Sequence, residues 1–158
     1  MKEGILNMKR GTWAEINLNN IKHNFHSLKN TLKSDSKVCC VVKADAYGHG
    51  AVEVAKMLQQ EKADYFSVAR FEEAVELRNN NIHTPILCMG YISECDIEEA
   101  INRYIGITVY SYEMAKIINQ KAGKLGKKAS IHIKIDTGMS RLGFLTGDNS
   151  INDILKLK

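Results

Sequence analysis

A lysine stands directly behind a strand-length apolar run: Val38-Cys39-Cys40-Val41-Val42 leads into Lys43-Ala44-Asp45-Ala46-Tyr47-Gly48-His49-Gly50. Along a strand side chains alternate, so Lys43 shares a face with Val41 and Cys39 and its amine leaves an apolar wall. Partial desolvation there favours the neutral amine, the form that attacks a carbonyl carbon to make a Schiff base. Gly48 and Gly50 leave the backbone free at the start of the next helix, whose N-terminus can hold an anion such as phosphate. An aldehyde and a phosphate together describe pyridoxal 5′-phosphate. On spacing alone, a surface lysine at a strand end is the competing reading.

Other reactive side chains point to less. His23 and His26 lie three apart on a helical pattern and could share a metal, but they flank an apolar stripe with no acid or thiol partner in view, so a solvated pair is expected. His49, between two glycines, either orients Tyr47 or fills space. Cys39, Cys40, Cys88 and Cys95 lack CxxC spacing and are read as reduced core thiols rather than a disulfide or zinc framework. Lys121, Lys124, Lys127 and Lys128 close a helical pattern where cations suit the dipole, and a solvated helix end is preferred to a nucleic-acid stripe.

The elements that must position these residues follow from hydrophobic periodicity. The 158 residues are 44% hydrophobic and 25% charged with a net charge of +4, the composition of one globular domain rather than a disordered chain. No uncharged apolar run approaches the ~18 residues of a membrane span and no signal-peptide core opens the chain, so a cytoplasmic protein is expected. Five short apolar runs, Val38–Val42, Tyr65–Ala69, Pro85–Met89, Ile105–Tyr110 and Ile131–Ile135, alternate with amphipathic stretches. That alternation predicts βαβ units, a parallel sheet and an α/β fold, either doubly wound or a (β/α) barrel, with ligands at the carboxyl ends of the strands. Leu18, Ile21, Phe25, Leu28 and Leu32 predict a preceding helix capped by Asn17. Thr12 to Ile16 alternates weakly, like a separate strand.

Three stretches in order, Thr12-Trp13-Ala14-Glu15-Ile16-Asn17-Leu18, then Val41 to Gly50, then Lys134-Ile135-Asp136-Thr137-Gly138-Met139-Ser140-Arg141-Leu142-Gly143, resemble the alanine racemase family. The resemblance runs from about Arg10 to Phe144. It implies an N-terminal barrel of TIM type, a C-terminal β domain to which the Trp13 strand would belong, a homodimer, and pyridoxal phosphate as cofactor for interconverting L- and D-alanine, with D-alanine going to cell-wall peptidoglycan. By resemblance Lys43 forms the internal aldimine and serves as base on one face of the substrate. Tyr47 bonds the cofactor phosphate. Arg141 lies near the cofactor's phenolic oxygen and the substrate carboxylate, suited to both by its planar donors. Lys134 matches a position that is a carbamylated lysine in some members. Asp136 and Thr137 are expected to brace the loop carrying Arg141. Strand alternation sends His132 and Lys134 towards the barrel interior and the flanking isoleucines towards the helices.

A complete barrel takes eight strands and ~250 residues, whereas five strands are legible here. The expectation is a barrel cut after about five of its eight strands: residues 1–10 an N-terminal extension, residues 11–158 the front of the barrel, and the C-terminal β domain absent. The family's second catalytic base would lie outside the chain, which alone should be inactive or nearly so. Leu145 to Lys158 reads as the start of a further helix. Two other readings stay open, a related serine or broad-specificity racemase and a non-catalytic pyridoxal-phosphate-binding module. Neither nucleic acid nor membrane is an expected partner.

Overall fold

The computed structural model describes residues 11–157, so the expected extension over residues 1–10 lies outside the described residues. Five parallel strands, β1 (Cys39–Val41), β2 (Tyr65–Val68), β3 (Ile86–Cys88), β4 (Ile105–Val109) and β5 (Ile131–Ile133), form one sheet in the order of the chain. The helices are α1 (Leu18–Lys29), α2 (Lys43–Gly48, a single irregular turn), α3 (Ala51–Gln60), α4 (Phe71–Asn79), α5 (Ile97–Asn102), α6 (Tyr112–Lys124) and α7 (Asp148–Leu155). Each strand pairs with the next, Cys39 opposite Tyr65 and Val41 opposite Ser67 at the start of the series. A doubly wound sheet reverses its strand order at a switch point. This one does not.

The sheet is also rolled. Tyr65 on β2 and His132 on β5 meet edge to face with ring centres 6.3 Å apart. Two strands separate them, and in a flat sheet they would stand about 14 Å apart. Their contact defines a concave face and sets His132 on it, as strand alternation predicted. The opposite, convex face is the core. Phe66, Val68, Ile86, Cys88, Ile105, Ile107 and Val109 are all but inaccessible to solvent, packed beneath Ala55, Leu58, Ala74, Leu77, Ala100 and Ile118 of the helices. Burying such aliphatic and aromatic side chains contributes about 1.5–3 kcal/mol each. On the concave side Thr108 is buried and satisfies its hydroxyl by donating to the Cys88 carbonyl at 2.8 Å.

Three expectations change. Residues 12–17 form no strand and pair with neither edge of the sheet, and Trp13 is 68% exposed. The four cysteines are free, but only Cys88 is buried. Cys40 is half-buried, while Cys39 and Cys95 are exposed. The cause is position: Cys39 lies on the uncovered face of an edge strand. Burial pushes the thiols of Cys88 and Cys40 up to about 11, which keeps them protonated and inert. His26 does have an acid partner, for Glu61 lies 2.7 Å from its Nε2 and also binds Lys22. Hydrogen bonds from Lys22 and then His26 lower the Glu61 pKa. No cluster of three or more metal-ligating side chains exists among the described residues.

Helix α1 starts as expected, with the Asn17 side chain accepting the Asn19 and Asn20 amides. It ends at Lys29, so Leu32 lies beyond it, and both Leu32 and Leu28, the latter within the helix, are exposed. The lysine run ends α6 as predicted, where Lys121 meets Glu98 at 3.0 Å and Lys127 meets Asn102 at 2.7 Å. No helix among the described residues is long and apolar enough to cross a membrane.

Candidate active site

Directly after β1 the backbone does something no hydrophobic pattern encodes. Ala44, Asp45, Ala46 and Tyr47 take φ values of 51°, 54°, 50° and 55°, one turn of left-handed helix. For L residues this conformation costs about 1–2 kcal/mol each, so roughly 4–8 kcal/mol must be offset by the surroundings. The Ala46 amide donates to the Val42 carbonyl at 3.0 Å, and the Gly50 amide to the Asp45 carbonyl at 3.0 Å. The His49 ring donates from Nδ1 to the Ala46 carbonyl at 2.9 Å, so this histidine serves its own turn. Glu73 Oε1 accepts the Ala44 amide at 2.7 Å. Asp45 Oδ1 accepts the Ala51 amide at 2.6 Å. Asp45 thus sets one of the chain's own carboxylates at the start of α3, where the sequence placed an anion such as phosphate.

The left-handed turn brings Tyr47 back beside Lys43, whose Nζ lies 5.8 Å from the tyrosine ring centre. Lys43 is half-buried and Tyr47 is 62% exposed. An amine at the carboxyl end of a parallel strand, with a phenol next to it, faces the end of the fold where (β/α) proteins bind ligands.

Lys134 and Arg141 belong to the other edge of the sheet. The Lys134 amide donates to the Val109 carbonyl at 2.8 Å, continuing the β4–β5 ladder, and Lys134 is half-buried. Beyond it the chain closes a loop: the Phe144 amide donates to the Lys134 carbonyl at 2.8 Å and the Asp136 amide to the Phe144 carbonyl at 2.9 Å. Gly143, at φ 146°, sits so close that a Cβ would lie 2.3 Å from the Asp136 nitrogen. No other residue fits. Asp136 Oδ1 accepts the amides of Gly138 and Ser140 at 2.9 and 3.0 Å, so it braces the loop as expected, and Thr137 makes no such bond among the described residues. This carboxylate faces backbone amides rather than the Lys134 amine. Arg141 is exposed on the loop, and among the described residues neither a hydrogen bond nor an ion pair joins it to Lys134, Lys43 or Tyr47. The structure thus brings Lys43 and Tyr47 together and carries Lys134 and Arg141 on a separate, closed loop. A cavity of about 510 Å³ beside α6, closed on its other side by Lys156 and Leu157, includes none of these four residues in its lining.

Sequence reading missed the left-handed turn and the part played by Glu73. Two closely spaced glycines, both at positive φ (84° at Gly48, 87° at Gly50), were its one local signal. The residues present suit a pyridoxal phosphate aldehyde at Lys43 and a phosphate donor at Tyr47 in donor chemistry, although α3 offers less to a phosphate than expected.

Parallel strands paired in chain order, rolled about a concave face and carrying a lysine at the end of the first, define the front part of a (β/α) barrel of TIM type. The family model for the N-terminal domain of alanine racemase matches residues 16–157, and the chain belongs to that family. It is 49% identical over 146 residues to the alanine racemase of Methanococcus maripaludis, covering 92% of this chain and 39% of that protein. Against the alanine racemase of Clostridium tetani the identity is 45% over 148 residues, 94% of this chain and 38% of the relative. Among solved structures, the alanine racemase of Clostridium difficile 630 superposes with a TM-score of 0.90 at 51% identity, covering 95% of this chain and 39% of that one. The Bacillus anthracis alanine racemase with bound L-Ala-P gives 0.84 at 32% identity, over 94% and 38% of the two chains. The chain spans about two fifths of the length of these relatives.

Proposed function

We propose that this chain carries the cofactor lysine of a pyridoxal-phosphate-dependent alanine racemase, which interconverts L- and D-alanine and so supplies D-alanine for peptidoglycan. The observation that carries the reading is the half-buried Lys43 at the end of β1, with Tyr47 folded back 5.8 Å from its amine by a left-handed turn. Residues 11–158 would then be the front of the barrel that holds this lysine. A homodimeric complete enzyme working in the cytoplasm belongs to the same reading.

Pyridoxal phosphate, when bound, supplies an aldehyde that condenses with amines and a conjugated ring that disperses negative charge. Lys43 would hold it at the aldehyde carbon and, once freed, move a proton at one face of the substrate Cα. Proton transfer needs the base within hydrogen-bond reach of that carbon, so one side chain fixed at one strand end serves one face. Inversion calls for a second base on the opposite face, and none of the four residues assigned here fills that role. Tyr47 would donate its hydroxyl to the phosphate. Arg141, with the planar fork that carboxylates and phenolates accept, would orient the substrate. Lys134 is assigned the task of holding Arg141, as a carbamate whose oxygens accept from the guanidinium.

Incubation with pyridoxal phosphate followed by borohydride tests the central assignment, since reduction fixes a covalent adduct on the amine that formed it. The label is expected on the peptide containing Lys43 and is expected to vanish in Lys43→Ala. Labelling spread evenly over the surface lysines refutes the assignment.

A further inference from the structure

Glu73 lies in the first turn of α4, and its carboxylate faces two loops at once. Oε2 accepts the amides of Ala69 and Arg70 at 2.8 and 3.0 Å, the usual service of an acid at a helix start. Oε1 turns the other way and accepts the amide of Ala44 at 2.7 Å, from a residue 29 positions back in the chain. Ala44 follows Lys43 and is the first residue of the left-handed turn. Among the described residues, this is the one bond by which a side chain from another strand or helix holds the backbone of residues 43–48.

We infer that Glu73 is a positioning residue for Lys43: by accepting the Ala44 amide it holds the left-handed turn, and with it the direction in which the lysine leaves β1. The functional consequence rests on the reading of Lys43 as the cofactor lysine. A residue held at positive φ without glycine persists only where its surroundings over-determine it. Without Glu73 Oε1 the exposed Ala44 amide has no acceptor in the protein, and the first left-handed residue loses its tie to α4. Relaxation of Ala44 to negative φ would swing the Lys43–Ala44 peptide and separate Lys43 from Tyr47.

The three amides that converge on Glu73 require acceptors on both oxygens, which a carboxylate provides and an amide does not. In Glu73→Gln the amide oxygen is drawn to the side with two donors, Ala69 and Arg70, leaving the NH2 group against the Ala44 amide. The variant therefore keeps the start of α4 and removes the link to Lys43, which separates positioning from folding. Glu72→Gln is the control, since Glu72 pairs with Arg70 on the surface at 3.2 Å.

Three measurements on the 158-residue chain decide the matter: thermal unfolding, amide exchange across residues 44–47, and the rate of Lys43 modification. The last uses pyridoxal phosphate with borohydride and, in parallel, an acylating reagent that needs no cofactor. Glu73→Gln is expected to unfold near the temperature of the unaltered chain. Its 44–47 amides should exchange about tenfold faster, and Lys43 modification should change by about tenfold with both reagents, other lysines being unaffected. Unchanged Lys43 reactivity in Glu73→Gln overturns the inference, whatever the exchange shows. If the variant does not fold, the unaltered chain decides: an Ala44 amide exchanging as fast as in an unfolded peptide has no bond to Glu73 and overturns it, while a protected one supports it. Failure of pyridoxal phosphate to label Lys43 in the unaltered chain counts against the cofactor reading instead, and the acylation rates still judge Glu73.

Discussion

Lys43 and Arg141 are both solvated cations by residue type, and what distinguishes them is the backbone that carries each. Lys43 leaves a turn held by Glu73 and Asp45, whereas Arg141 rides on a loop whose shape depends on Asp136 and Gly143. Hydrogen bonds from the Ser140 and then the Gly138 amide hold the Asp136 carboxyl below the usual aspartate range. A carboxyl whose folded pKa is depressed adds stability above its unfolded pKa and loses that contribution as pH falls through the folded value. The loop is therefore expected to be closed at neutral pH and to open on acidification below about pH 4. The chemical shifts of the Gly138 and Ser140 amides should follow that titration, and Asp136→Ala should show the open values already at neutral pH. An Asp136 that titrates like a free peptide aspartate would contradict this account.

Among the helices, α4 does more than cover the sheet. Its first turn holds the Lys43 turn through Glu73, and its last turn carries Arg78, which staples the entries of two strands at the opposite end of the sheet. The guanidinium donates to the carbonyls of Ile82 and Thr84 before β3 at 2.6 and 2.9 Å, and to those of Arg103 and Tyr104 before β4 at 2.9 and 3.0 Å. Burial lowers its pKa, but a guanidinium remains charged throughout the working range. Hydrogen bonds from charged groups are the stronger class, and four carbonyls lose their donor at once. Arg78→Ala should cost about 2–3 kcal/mol, read as a lower urea midpoint at unchanged slope. Arg78→Lys should recover little, because a single ammonium on a flexible stem does not span carbonyls from two loops. A loss under about 0.5 kcal/mol for Arg78→Ala would rule out the staple.

At the scale of the molecule, the sheet formed by the described residues has two edges, β1 and β5, each with a neighbour on one side only. Val41 on the first and Ile131 and Ile133 on the second are exposed. Unpaired strand edges beside exposed apolar side chains are templates for pairing with another chain. The 158-residue chain is expected to associate as its concentration rises, visible as a growing mass in sedimentation, and to bind a hydrophobic dye. Ile133→Lys, which puts a charge on the β5 edge, should reduce both. A chain that stays monomeric and dye-free at high concentration would contradict the expectation.

The alternation of apolar runs with amphipathic stretches was enough to predict five parallel strands, the helices between them and the helix after Leu145, because side-chain burial follows a local period of two or 3.6 residues. It left barrel and doubly wound sheet unresolved, and motif resemblance made that choice before pairing in chain order confirmed it. Lys43 and Tyr47 were legible together because they stand four residues apart in one run. Elsewhere the periodicity is silent. The handedness of the Lys43 turn depends on Glu73, and the acid partner of His26 comes from beyond α3. The ring contact between Tyr65 and His132 depends on how far the sheet rolls. A backbone amide's acceptor or a ring's neighbour is supplied by segments far away in the chain, so these features exist only once the strands have packed.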